Sequence, residues 1–148
     1  MKAFGLYIFL AVVCLSLAGC SNEPTLFGAK VTAQVKSLDL ANGQQLEVTA
    51  VTVSDAYISK GEDGEHETVT DYKVERVDFF IANRKIGSSD EAPFAFSYIL
   101  SDLPAGEHQL RVDAVVSGIS KRVQRDKYDV PGMHRARVGV TYPLIIKP

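Results

Sequence analysis

Hydrophobic and polar residues alternate with a period of two along most of the chain after residue 30. That spacing sends successive side chains to opposite faces of a strand. Val31, Ala33 and Val35 share one face, with Thr32, Gln34 and Lys36 on the other. After the turn signal Ala41-Asn42-Gly43, Leu46, Val48 and Ala50 face inward. Val77, Phe79 and Ile81 alternate with Asp78, Phe80 and Ala82, and Asn83-Arg84 predicts a tight turn. Phe94, Phe96 and Tyr98 follow Pro93; Leu110, Val112, Ala114 and Val116 follow the turn at Leu103–Gly106. Ser117-Gly118 predicts a turn onto a strand from Ile119 to Tyr128, which Pro131-Gly132 breaks. The last strand puts Val138, Val140, Tyr142, Leu144 and Ile146 on one face. Pro143 has no N–H to give a ladder, which places that strand at a sheet edge near its end. No long segment has the 3.6 period of a helix. Seven or eight short strands, with turns about every 8–12 residues, predict an all-β sandwich.

The start of the chain is different in kind. Lys2 precedes an almost unbroken apolar run, Ala3 to Ser16, that is shorter than the roughly 20 residues a spanning helix needs. A basic tip, an apolar core and a small-residue exit make a secretory signal peptide, which is set aside from the fold. The exit, Leu17-Ala18-Gly19-Cys20, resembles the lipobox of bacterial lipoproteins. The resemblance implies cleavage between Gly19 and Cys20, a diacylglyceryl thioether on the Cys20 thiol, and acyl chains of the palmitate class. It also implies an anchor in the cell envelope. Ser21 stands where aspartate would resemble an inner-membrane retention signal, which points to the outer membrane in a Gram-negative cell. The expected organisation is a signal peptide over 1–19, a lipidated tether over 20–28 and a sandwich domain over 29–148.

Removing residues 1–19 from the 148 leaves 129, a single-domain length that can bury roughly two-thirds of its unfolded surface. The whole chain carries 16 basic and 18 acidic side chains, a balance unlike the clear positive excess of a nucleic-acid binder. Cys14 would leave with the signal peptide and Cys20 would be acylated, so packing alone must hold the domain.

A second resemblance covers roughly Val31 to Gly118. Val74-Glu75-Arg76-Val77-Asp78-Phe79 with Gly87, then Ala92-Pro93-Phe94, then Leu103 to Ala114 with Gly106, His108, Leu110 and Val112, are similar to the strand motifs of bacterial Ig-like modules. Gln45 to Ala50 fits the earlier strand. The resemblance implies an Ig-like or fibronectin-like sandwich, of the kind found in surface proteins and beside secreted glycosidases. Asn83-Arg84 replaces the usual Asp-Gly turn, and Ile119–Arg137 is longer than the family's approach to its last strand, so an extra hairpin is expected there.

Candidate chemistry is sparse. His108 shares the parity of Leu110 and Val112 and has no evident catalytic partner; the Ig-like resemblance implies a structural ring bonded to nearby backbone. His66 and His134 lack metal-ligand spacing. Glu62, Asp63 and Glu65, with Glu67, Asp55 and Asp71, offer oxygens for Ca²⁺, but their order does not match a twelve-residue EF-hand loop. Tyr57 and Tyr72, with Tyr98, are candidate sugar-stacking rings. Lys121, Arg122, Arg125, Lys127, Arg135 and Arg137 gather positive charge towards the C-terminus, either to meet anionic headgroups or polymer or to protect an edge strand. No nucleophile elbow, phosphate loop, CxxC or HExxH is present. The sequence therefore leads to a non-enzymatic, lipid-anchored envelope domain that needs no cofactor and serves as a binding or structural module for a protein or glycan partner. The competing expectation is a secreted carbohydrate-binding accessory domain, and an enzyme is the least favoured.

Overall fold

The computed structural model describes residues 26–60, 65–125 and 128–148, leaving aside the side chains of 26, 60, 65 and 120–132. The signal segment with Gly19 and Cys20, residues Glu62 and Asp63, and the Glu65 side chain lie outside that description. Nine strands are described, against the seven or eight expected: β1 (Leu26–Val35), β2 (Asp39–Ala41), β3 (Gln45–Lys60), β4 (Glu65–Thr68), β5 (Tyr72–Ile81), β6 (Arg84–Ser89), β7 (Phe96–Ile99), β8 (Gly106–Arg125) and β9 (Tyr128–Lys147). One sheet runs β1-β3-β4, with β7 on β3 beyond the end of β4. The other runs β2-β9-β8-β5-β6, and only the β2–β9 pair is parallel. The additional elements are the three-residue β2 and the β3–β4 hairpin.

The alternation sends Leu46, Val48, Val77, Phe79, Ile81, Leu110, Val112, Ala114, Val116, Leu144 and Ile146 between the sheets, where all are buried. Removing side chains of this size from water is worth about 1.5–3 kcal/mol each. Phe79 of one sheet stacks on Phe96 of the other, ring centroids 4.4 Å apart and planes 7° from parallel. Gly87, the cross-strand partner of Phe79, leaves the room: a Cβ there would collide with the Phe96 ring. Two tyrosines tie the layers together. Tyr142 Oη accepts from Ala33 N (2.9 Å) and donates to Ala33 O, and Tyr72 Oη donates to Val53 O at 2.9 Å.

The strict alternation slips at bulges. Gln34 pairs with Ala50 but Val35 with Val48, so Thr49 is an extra residue in β3. The slip turns Ala50 away from the core, where it was expected, and brings Val51 and Val53 in instead. A second slip at Asp55, whose φ is +51°, then turns Ala56 and Ile58 inward; Asp tolerates the left-handed region better than most residues. The tight turn also sits one residue earlier than expected. Ala82 and Asn83, with φ of +48° and +64°, are its two central residues, and Ile81 faces Arg84. Two positive φ values match the hand of a two-residue hairpin turn to the strand twist.

Three boundaries differ from the sequence expectation. Leu26–Gly28, expected in the tether, belong to β1, because Phe27 packs into the body of the domain. Ser117-Gly118 is no turn but the middle of β8. Glycine there lets the Phe27 ring approach, since a Cβ would lie 2.9 Å from it. Beyond Gly118, β5 ends, and β8 and β9 continue as a two-stranded ribbon whose last described pair is Arg125 with Tyr128. The expected extra hairpin is thus an extension of the β8–β9 hairpin, and Pro131-Gly132 lies within β9 beside a register shift. Pro143 stands where β9 has no strand on its outer side; β2 covers only Ile145–Lys147.

Candidate functional site

The outer face of the five-stranded sheet carries a charge network that begins with a repeated tripeptide. Arg76-Val77-Asp78 lies in β5 and Arg111-Val112-Asp113 in β8. In a strand, residues two apart share a face, so each valine enters the core while its arginine and aspartate point outward. The strands are antiparallel and Asp78 pairs directly with Asp113. Like charges placed opposite one another destabilise a sheet unless something neutralises them.

Cations from four strands do so. Asp78 Oδ1 lies 3.0 Å from Arg76 Nε and 2.9 Å from Lys85 Nζ, and its Oδ2 lies 3.3 Å from an Arg137 terminal nitrogen. The same Arg137 nitrogen is 3.6 Å from Asp113 Oδ2, which Arg111 Nε approaches to 3.3 Å. Arg137 therefore bridges both carboxylates. Asp78 is 1 % exposed, although it sits on an outward face, because the cations close over it. Neither of its oxygens meets the alignment of a hydrogen bond, so charge proximity holds it. Burial pushes the Asp78 carboxyl pKa up, but Lys85 and Arg76 outweigh that and hold it below the ordinary carboxylate value.

Local backbone irregularities aim these groups. A bulge at Glu75 puts both Glu75 and Arg76 on the outer face, and a shift between Phe79 and Phe80 brings Lys85 opposite Phe80. Glu75 Oε2 accepts from Arg135 Nε at 2.9 Å and lies 2.8 Å from a terminal nitrogen of the same guanidinium. That bond, outweighing partial burial, lowers the Glu75 pKa. Gly139, opposite Asp113, leaves room for the carboxylate: a Cβ there would collide with Asp113 Oδ1. Arg111 also lies over the Phe80 ring, 4.2 Å from its centroid. Arg76, Arg135 and Arg137 line a shallow cleft of about 240 Å³ with Val115 and Ala136. Each is held by a carboxylate through part of its guanidinium. A guanidinium has five N–H donors, so donors remain for an anion.

The residues singled out from sequence fall elsewhere or apart. Tyr57 is 39 % exposed on the outer face of the four-stranded sheet, lying over Gly28 and edge-on to His66 at 4.8 Å. Tyr72 is half-buried in the core with its hydroxyl committed to Val53, so the two rings form no common sugar platform. His108 Nε2 is 2.7 Å from Pro104 O, the backbone contact that the Ig-like resemblance implied. Among the described residues, no three His, Cys, Asp or Glu side chains gather as a metal-binding group. Of the C-terminal cations, Arg135 and Arg137 belong to the network; Lys121, Arg122, Arg125 and Lys127 have side chains outside the described set. Sequence reasoning passed over Arg76, Asp78, Lys85, Arg111 and Asp113. The signal that could have found them is the doubled Arg-Val-Asp on two strands expected to be neighbours.

Comparison with known proteins agrees with the fold. A family model described as "Bacterial Ig domain" matches residues 67–112, from the end of β4 into β8, and includes both Arg-Val-Asp tripeptides except Asp113. With the two-sheet architecture, this makes the domain an Ig-like β-sandwich. No curated protein matches the chain. A solved structure of fibronectin(III)-like modules of Clostridium thermocellum CbhA is 20% identical, covers 80% of this chain and 95% of its own, and has a TM-score of 0.39.

Proposed function

We propose that the protein is a lipid-anchored domain of the bacterial cell envelope, held at the outer membrane in a Gram-negative cell, that serves as a non-enzymatic binding or structural module for a protein or glycan partner. The observation that carries the anchor is the Leu17-Ala18-Gly19-Cys20 box behind a basic, apolar start. The binding role is supported by a face whose carboxylates are tied into ion pairs that position arginines, an arrangement suited to recognition rather than proton transfer. Two or three acyl chains on Cys20, at about 0.8 kcal/mol per buried CH₂, hold stably where one would not. Globomycin, which inhibits lipoprotein signal peptidase, should make the uncut precursor accumulate; unchanged processing would refute the anchor.

A second reading, a secreted carbohydrate-binding accessory domain, keeps one supporting observation, the exposed Tyr57 ring. Retention on insoluble glycan that Tyr57→Ala abolishes would favour it.

A further inference from the structure

We infer that the outer face of the five-stranded sheet is a docking surface for anionic lipid headgroups, on which the anchored domain lies down. This rests on the lipid anchor proposed above. Around the Asp78–Asp113 pair, six cations, Lys73, Arg76, Lys85, Arg111, Arg135 and Arg137, surround three carboxylates, Glu75, Asp78 and Asp113; further along the same face, towards β2, stand Glu107, Asp39 and Lys147. The excess is three positive charges around that pair and two over the strands of the whole face, in a chain whose formal net charge is −2. The carboxylates are drawn in towards the sheet, Asp78 and Asp113 being 1 % and 7 % exposed, while the Arg135 and Arg137 side chains are 65 % and 48 % exposed. An approaching surface therefore meets mainly positive charge.

Next to these cations lies apolar surface. Ile119 and Met133 are cross-strand partners at 43 % and 83 % exposure, on the same face as Ser117 and Arg135 one step along. Cations beside exposed aliphatic side chains suit a headgroup region, where charge meets phosphate and methylenes reach the acyl boundary. A soluble polyanion would offer nothing to Ile119 and Met133.

The position agrees with the anchor. β1 begins at Leu26, and Phe27 packs against Gly118, one residue from Ile119. Six peptide steps separate Cys20 from Leu26, a reach of at most about 21 Å when fully extended. The apolar pair thus sits at the end of the sandwich that the anchor would hold nearest the bilayer. Glu67 of β4 belongs to the other sheet, so lying on this face turns it away from anionic lipid.

The test uses the processed, lipidated chain carrying Met133→Cys labelled with an environment-sensitive fluorophore. It is reconstituted in vesicles of phosphatidylethanolamine with phosphatidylglycerol, or of phosphatidylcholine alone. A blue-shifted, brighter emission is expected in the anionic vesicles only, reversed by 0.5 M salt. Lys73→Gln with Arg135→Gln removes two cations and should lower the docked-to-undocked ratio about 30-fold, at about 1 kcal/mol per cation; Lys73→Arg with Arg135→Lys should preserve it. Unchanged thermal melting of the double Gln variant separates lost docking from lost fold. Equal emission in both vesicle types overturns the proposal. A shift seen in neutral vesicles only on adding heparin also overturns it, and assigns the face to a polyanionic glycan. The mass of the N-terminal peptide reports acylation of Cys20 separately. If that fails, co-sedimentation of the non-acylated chain with the same vesicles still reads the face.

Discussion

On the four-stranded sheet the outward side chains include Thr32, Gln34, Thr52 and Ser54, beside Lys30 and Tyr57, with small polar groups bonded to nearby backbone, as when Thr49 Oγ1 donates to Gln34 O. The Lys36–Glu47 ion pair there, at 3.0 Å, is exposed and neutral in sum. On the five-stranded sheet the outward positions carry carboxylates at the centre and cations around them, interlocked across four strands. Both faces arise from the same alternation. They differ because Asp78 and Asp113 occupy central strands, where neighbours on both sides can reach over them, whereas the outward groups of β1 stand on an edge. A central position turns an outward residue into a buried one when long side chains fold over it. The comparison teaches that solvent-facing parity and solvent exposure are separate properties.

The most severe way to break the contrast is to remove the central charge. Asp78→Asn leaves Arg76, Lys85 and Arg137 facing one another without compensation. It should cost about 3 kcal/mol at pH 7, the low end for breaking a buried pair, because the cations left behind can reach water; urea unfolding measures it. A second probe is Gly139→Ala, whose added methyl would displace the Asp113 carboxylate. It should destabilise by about 1–3 kcal/mol as an overpacked site, with less loss in an Asp113→Ala background, read as a double-mutant cycle.

Acid titration sharpens the comparison further. The folded-state pKa of Asp78 is depressed, so its contribution is fully present above the unfolded carboxylate value near 3.9 and is lost as pH falls through the lower folded value. Melting temperature should therefore fall on acidification below about pH 4, and Asp78→Asn should flatten that arm. The smallest effect belongs to the other face. Thr52→Ala should change stability by no more than about 0.5 kcal/mol. A larger loss would mean that the hydroxyl-bearing face is also a coupled network.

Much of the architecture was legible in the chain. The inward sets Leu46 and Val48, Val77 to Ile81 and Leu110 to Val116 followed directly from alternation, and the backbone-bonded His108 from the resemblance to Ig-like modules. The errors have physical causes. Ala50 was misplaced because a bulge inserts one residue and reverses every face beyond it, and strand propensity does not announce the insertion. Ser117-Gly118 and Pro131-Gly132 looked like breaks because glycine and proline punctuate most chains. Here Gly118 makes room for Phe27, contributed by a strand far away in sequence. Tyr72 looked like a binding ring because nothing local reveals that its hydroxyl reaches Val53.

The sequence alone determined the class of fold and the proposed address. A period of two, once committed to burial, admits few architectures, and the Leu17-to-Cys20 box is contiguous, so both are local information. Tertiary structure decided the charged face. Asp78 and Asp113 are 35 positions apart, and only the antiparallel register of β5 on β8 sets them side by side. Only the continuation into β9 brings Arg137 across to bridge them, and only Gly139 gives Asp113 the room to turn. Ion pairs act over a few ångströms. The separations they act across are set by strand register, which no single strand contains.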